Sequence, residues 1–356
     1  MKTAIIGLPM VGKTALFTIL TGVHQETRIG STAVRTGVAK VPDPRLAELA
    51  GVFEPEKITH ATVEYLDVPA VSKETLRDPA YVASLRVVDA FVHVLRLFED
   101  DTVPHEAGSL DPLRDAENVE IELILSDLVV VEKRLDRLDK DRKKIKSPEM
   151  DAEFELLTEA KAVLESNRPL REMDLSGERE KRIRGFQFLS QKPLLVVLNL
   201  GEAEAAQLHE REAEYGAKVG GRPGTAVTAV CGKIEAELAE LPPADASEYM
   251  ASYGLEEPGL DRLIGATYRL LGLMSFLTAG ETEVRAWTVP QNSTAVKAAG
   301  AIHSDFEKKF IRAEVVNWKD LVTYSGYPGV REKGLLRLEG KEYVVKDGDV
   351  LVIRHG

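Results

Sequence analysis

Gly7-Leu8-Pro9-Met10-Val11-Gly12-Lys13-Thr14 decides how this chain is read. It follows a short apolar run, Thr3-Ala4-Ile5-Ile6, and opens a helix-like run, Ala15-Leu16-Phe17-Thr18-Ile19-Leu20. G-x-x-x-x-G-K-T between a strand and a helix is the phosphate-binding P-loop pattern in the context that supports it. The loop from Leu8 through Pro9, Met10, Val11 and Gly12 to Ala15 is expected to wrap phosphates with its backbone N–H groups. The helix N-terminus adds partial positive charge. Lys13 is expected to reach the β- and γ-phosphates, and the Thr14 hydroxyl to ligate Mg²⁺.

Composition narrows the rest. The 356 residues are 44% hydrophobic and 29% charged, which suits two or three soluble domains. A formal net charge of −12 excludes nucleic-acid binding by bulk charge, so any such contact needs a local basic patch. Cys231 is the single cysteine, so no internal disulfide can form and a reducing compartment fits. No run approaches the roughly 18 apolar residues of a membrane span. Met1-Lys2 leads straight into the first strand, which leaves no room for a signal peptide. The expected location is the cytoplasm, with no membrane contact and a monomeric state.

Beyond the P-loop helix, residues 24–36 are polar and irregular, where a P-loop nucleotidase carries its first switch loop. Ser31 or Thr32 could supply the hydroxyl that such a loop gives to Mg²⁺, and Ser31 is the candidate. Thr36 to Val41 reads as a strand, and Arg45 to Ala50 as a short helix. Thr62-Val63-Glu64-Tyr65-Leu66-Asp67 alternates and ends in a carboxylate. The C-terminal tips of such strands face the nucleotide, so Asp67 is the expected metal acid, holding Mg²⁺ through water. Lys13, Thr14 and Asp67 are therefore the catalytic candidates. After Asp67 comes Val68-Pro69-Ala70-Val71. Related nucleotidases place a γ-phosphate-sensing glycine where Ala70 stands and a water-orienting Gln where Val71 stands. Valine cannot orient water, so hydrolysis is expected to be slow or to depend on another group.

Val87 to Leu97 is a buried-strand pattern, with His93 read as a core histidine. Pro193 to Leu198 is another, ending in Asn199-Leu200-Gly201-Glu202. GTPases read N-K-x-D here, and the Asp accepts two hydrogen bonds from guanine. Glu202 is one methylene longer and Leu200 replaces the Lys. A displaced carboxylate leaves guanine's donors unmatched, so ATP and ADP are the expected ligands, with GTP and GDP as alternatives. Thr225 to Val230 is a further strand. Cys231-Gly232 after it stands where a base-flanking loop is expected.

From Asp115 to Lys146 apolar residues recur every three or four positions, the stripe of a long amphipathic helix. Ser147-Pro148 breaks it and a second helix follows, so an antiparallel coiled-coil arm is expected. Its tip carries Lys140, Arg142, Lys143, Lys144 and Lys146, a patch suited to RNA phosphates. From Phe276 onward short strands and a helix suggest a β-grasp-like module.

Taken together, these motifs resemble the YchF family, the Obg-like ATPases of the translation-factor P-loop class. The resemblance rests on Gly7 to Thr14, Val41-Pro42-Asp43-Pro44-Arg45-Leu46 and Ala61 to Asp67. It extends through Phe98-Glu99-Asp100-Asp101, Glu122 to Leu128, Asn199 to Glu202, Lys233 to Leu238, Thr278 to Trp287 and Ile302 to Lys308. It implies an α/β P-loop G domain (1–125 and 186–275), an inserted antiparallel coiled-coil arm (126–185) and a C-terminal β-grasp, or TGS, domain (276–356). It implies binding of ATP at least as well as GTP, slow hydrolysis and association with ribosomes. Phe98, Asn199 and Leu200 are implied to line the adenine pocket. Two departures strike the γ-phosphate sensors: Ala70 replaces the family's glycine, and Ser31-Thr32-Ala33-Val34 stands where the family has F-x-T-I-E-P.

Overall fold

In the computed structural model, residues 1–23, 34–105 and 108–356 are described. The chain begins with β1 (Lys2–Ile6), α1 (Lys13–Thr21) and β2 (Arg35–Lys40). Next come α2 (Pro44–Phe53) and β3 (Lys57–Thr59), which belong to a second sheet system, and then β4 (Thr62–Asp67), α3 (Pro79–Arg86) and β5 (Ala90–Arg96). The helices α4 (Pro112–Arg142), α5 (Pro148–Glu165) and α6 (Glu178–Ile183) precede β6 (Leu194–Asn199). The first sheet is completed by α7 (Leu208–Lys218), β7 (Thr225–Val230), α8 (Gly232–Glu240), α9 (Pro243–Ser252) and α10 (Gly259–Leu270). Its strand order is β2-β4-β1-β5-β6-β7, and the four pairings from β4 to β7 are parallel.

Strands β5 and β6 are buried at every residue. That is what continuous apolar runs give when helices cover both faces of a parallel sheet. Phe91, Leu95 and Leu198 of these strands share one core cluster with Leu85 of α3, Leu123 of α4 and Leu208 of α7. The C-terminal ends of β1, β4 and β6 deliver Gly7, Asp67 and Asn199 to one edge of the sheet, where open α/β sheets bind their ligands.

The expected pair of long helices is present. Beyond the sheet, α4 packs on α5 through Val131, Leu138, Leu157 and Leu164. Ser147 accepts a hydrogen bond from the Met150 N–H at 3.4 Å and Pro148 fills the first turn of α5, so the break is a built helix start. Asp127 is the anchor of α4. Its carboxylate is 1% exposed and accepts from the Leu189 N–H (2.9 Å), the Ser190 N–H (2.7 Å) and the Ser190 hydroxyl (2.7 Å).

The chain divides into two compact units, Met1–Val38 with Glu64–Ala266, and Ala39–Val63 with Thr267–Gly356. The second holds β8 (Leu273–Ala279), β9 (Glu283–Pro290), α11 (Ala295–Ile302), α12 (Ser304–Lys308), β10 (Phe310–Asn317), α13 (Trp318–Thr323), α14 (Tyr327–Glu332), β11 (Arg337–Glu339) and β12 (Asp349–His355). Its sheet runs β11-β10-β12-β8-β9-β3 around Phe276, Ala298, Val315 and Leu351.

The sequence reading placed residues 39–63 with the nucleotide-binding part. In the structure β3 pairs in parallel with β9, and α2 packs on α13. The Val41 to Leu46 motif has a structural task in this unit. Asp43 caps α2 by accepting from the Arg45 N–H at 3.1 Å, and the Arg45 guanidinium bonds Asp43 (2.7 Å) and Asp347 (3.0 Å).

Candidate nucleotide-binding site

The loop after β1 takes its shape from two glycines. Gly7 has φ 144° and Gly12 φ 97°, in the region that favours glycine. A Cβ on Gly7 would lie 2.6 Å from the Val94 carbonyl oxygen, and one on Gly12 would lie 2.4 Å from Asn199 Nδ2. Both closures need hydrogen at these positions, and this is the tight backbone curl a phosphate cradle requires. Met10, at φ 60°, is 55% exposed at the crest, with Pro9 beside it and Val11 turned into the core. Ala15 is exposed in the first turn of α1 and Leu8 is half-buried.

Lys13 is 8% exposed, and its ammonium donates to the carbonyls of Leu8 (2.6 Å) and Gly7 (3.1 Å) inside the loop. The Thr14 hydroxyl donates to Asp67 Oδ2 at 3.0 Å. A hydroxyl and a carboxylate oxygen so placed are the ligands Mg²⁺ takes when phosphates complete its shell. Among the described residues no cluster of three or more His, Cys, Asp or Glu side chains gathers; the Thr14 hydroxyl, and Asp67 directly or through water, are the described groups that could hold a metal. The Ser31 candidate lies outside the described residues.

Sequence reading did not single out Arg35. From the start of β2 its guanidinium bonds Asp67 Oδ2 and reaches the Thr14 hydroxyl at 3.1 Å. A lone arginine opening a strand carries no signal in the sequence; only the pairing of strands brings it to β4.

Asn199, expected to line an adenine pocket, bonds two backbone groups. Its Nδ2 donates to the Val11 carbonyl and its Oδ1 accepts from the Gly232 N–H, both at 3.0 Å. It thus braces the phosphate loop against the start of α8, with Gly232 half-buried beside it. Phe98 is half-buried over Arg96, its N–H donating to the Asn199 carbonyl at 3.2 Å. Leu200, also expected at the adenine pocket, is 2% exposed and packs in the apolar core. Cys231 is 1% exposed among Ala205 and Ile234, and burial pushes its thiol up, as expected of an inert core cysteine. Glu202 is ion-paired with Lys233, the second residue of α8. Sequence reading quoted Lys233 in a motif but gave it no partner.

After β4, Val71 is 3% exposed in the core and Ala70 half-buried. The Thr75 hydroxyl donates to the Ala70 carbonyl at 3.0 Å and accepts from the Ser72 N–H at 2.9 Å. His93 is a core residue, 1% exposed, but its Nε2 has no hydrogen-bond partner among the described residues. Burial, helped by the Lys13 and Arg171 charges, lowers its pKa to about 3.

Comparison with known proteins agrees with this fold. The chain is 39% identical to the "Ribosome-binding ATPase YchF" of Bacillus subtilis (strain 168), the alignment covering 99% of each chain. This chain belongs to the YchF family. The relative of the same name in Escherichia coli O157:H7 is 40% identical, over 98% of each chain. The solved structure of the Schizosaccharomyces pombe YchF GTPase superposes with a TM-score of 0.85 at 28% identity, covering 99% of this chain and 97% of that one. A family model described as "YchF-GTPase_C: Protein of unknown function (DUF933)" matches residues 273–356. The fold is that of a P-loop nucleotidase joined to the C-terminal domain of the YchF family. No helix among the described residues is long and apolar enough to cross a membrane.

Proposed function

We propose that this chain binds ATP and ADP with Mg²⁺, hydrolyses ATP slowly, and uses its nucleotide state to switch association with the ribosome in the cytoplasm. The observation that carries the reading is the approach of Thr14 to Asp67 at the mouth of the loop that holds Lys13. The Lys13 ammonium exchanges its two loop carbonyls for phosphate oxygens, and Thr14 and Asp67 hold the metal. Bound Mg²⁺ supplies the charge that offsets the β- and γ-oxygens. Buried Val71 offers no polar atom to orient a water, which supports slow turnover.

Base preference follows from Glu202. Its carboxylate is engaged by Lys233, so matching guanine's two donors would cost that ion pair, whereas adenine needs no carboxylate there. Asn199 braces the loop with one donor and one acceptor of its amide, and its second N–H and second lone pair remain for a base.

Ribosome association is carried over from what the relatives' names state. Exposed Lys140, Lys144 and Lys146 at the α4–α5 turn suit RNA phosphates. Arg142 and Lys143 are already paired with Asp151 and Asp139, so the tip is less basic than its composition. The C-terminal unit, read as a TGS domain, is the second contact surface of a monomer.

Equilibrium binding of ATP, ADP, GTP and GDP with Mg²⁺, with phosphate release followed in the same samples, tests this. Adenine preference with slow release is expected, and both lost in Lys13→Ala. Guanine preference would overturn the base reading. Nucleotide binding without any release, even with ribosomes present, would favour the second reading, which Ala70 in place of a switch glycine supports, a nucleotide-bound adaptor that does not hydrolyse.

A further inference from the structure

The two oxygens that suit Mg²⁺ are already held by a cation of the chain itself. Arg35 Nη2 bonds Asp67 Oδ2 and lies 3.1 Å from Thr14 Oγ1. The arginine side chain is 9% exposed and the aspartate 6%, so solvent screens the pair little. Its guanidinium carbon sits 5.4 Å from the centre of the Phe17 ring on α1, a cation–π distance that adds a third hold.

We propose that Arg35 is a positioning residue for the metal: it neutralises Asp67 when Mg²⁺ is absent, has to withdraw when Mg²⁺ enters, and so sets how strongly nucleotide binding depends on Mg²⁺. Asp67 Oδ2 and Thr14 Oγ1 are the oxygens both cations would use, and two cations crowded on them repel, so guanidinium and metal compete. The chain therefore carries an internal competitor for its own metal position. Without Mg²⁺, Arg35 keeps the carboxylate charge away from incoming phosphates, so nucleotide can bind metal-free. With Mg²⁺, the same guanidinium must be displaced, which weakens the apparent metal affinity. Its effect thus has opposite signs in the two conditions, which a merely structural arginine would not show. The inference rests on the nucleotide reading above.

The test is titration of a fluorescent ADP analogue against the wild type, Arg35→Ala and Arg35→Lys, in EDTA and at stepped Mg²⁺ concentrations. In Arg35→Ala the dissociation constant in EDTA is expected to rise about tenfold, and the Mg²⁺ concentration for half-saturation to fall about tenfold, shifts typical of losing one charge-assisted contact. Arg35→Lys keeps the charge but not the planar, pre-organised guanidinium, and is expected to lie between. Equal weakening with and without Mg²⁺, or an unchanged Mg²⁺ midpoint, would overturn the proposal. Should Arg35→Ala fail to fold, Arg35→Lys carries the same comparison, an unchanged midpoint again overturning it. A wild type that binds no ADP in either condition would instead overturn the nucleotide reading.

Discussion

Asn199 joins two parts of the site that lie far apart in the chain. It pairs the Val11 carbonyl with one end of its amide and the Gly232 N–H with the other. Asn199→Ala leaves both backbone groups without that partner, and buried unpaired polar groups cost about 1–3 kcal/mol each. We expect Asn199→Ala to lower stability by about 2 kcal/mol and to weaken ADP binding at least tenfold, read by urea unfolding and by nucleotide titration. A second prediction concerns Lys233, which engages Glu202. Lys233→Met frees that carboxylate, so the GDP-to-ADP affinity ratio is expected to rise several-fold. An unchanged ratio would show that Glu202 does not face the base.

Among the elements, α4 shows both how much the sequence discloses and where it stops. The three-and-four spacing from Ile121 to Ile145 gives the helix, and Ser147-Pro148 gives the break, because both are local signals. Asp127 was readable only as one residue in a motif. Its three donors come from residues 189 and 190, about sixty positions away in the chain. Burial pushes its carboxyl up to about 6, while those donors pull it down. Asp127→Ala strands the donors and is expected to cost about 2–4 kcal/mol, with faster hydrogen exchange at the Leu189 and Ser190 amides.

The site divides along the same line. The P-loop and Asp67 are periodic or spaced motifs and could be found. Arg35 and the Lys233–Glu202 pair exist only through tertiary pairing. Strands β3 and β8 were missed for a related reason. Three residues are too few to show alternation, and the run from Leu273 continues the apolar end of α10 with only Leu271 and Gly272 between them.

For the molecule as a whole, His93 ties stability to pH. Its pKa in the folded state is about 3, against an ordinary value near 6.5 in the unfolded chain. The unfolded state therefore binds the proton more tightly. The contribution of neutral His93 is fully present above pH ~6.5 and is lost as pH falls toward 3, amounting to about 2 kcal/mol between pH 7 and 5. Denaturant unfolding at stepped pH is expected to show that loss in the wild type and a flatter profile in His93→Phe. Equal slopes would mean that His93 is protonated in the fold.

The second compact unit is built from two stretches, Ala39–Val63 and Thr267–Gly356, with roughly two hundred residues between them. During synthesis α2 and β3 leave the ribosome long before α13 and β9 exist to receive them. At about 5–20 residues per second that wait lasts roughly 10–40 s. Over that interval the sheet edge of β3 and the apolar face of α2, with Leu46 and Leu49, have no native partner. A stop codon between residues 64 and 266 would make the wait permanent, so premature termination there is expected to leave a chain that chaperones retain even though every residue of its phosphate loop has been made.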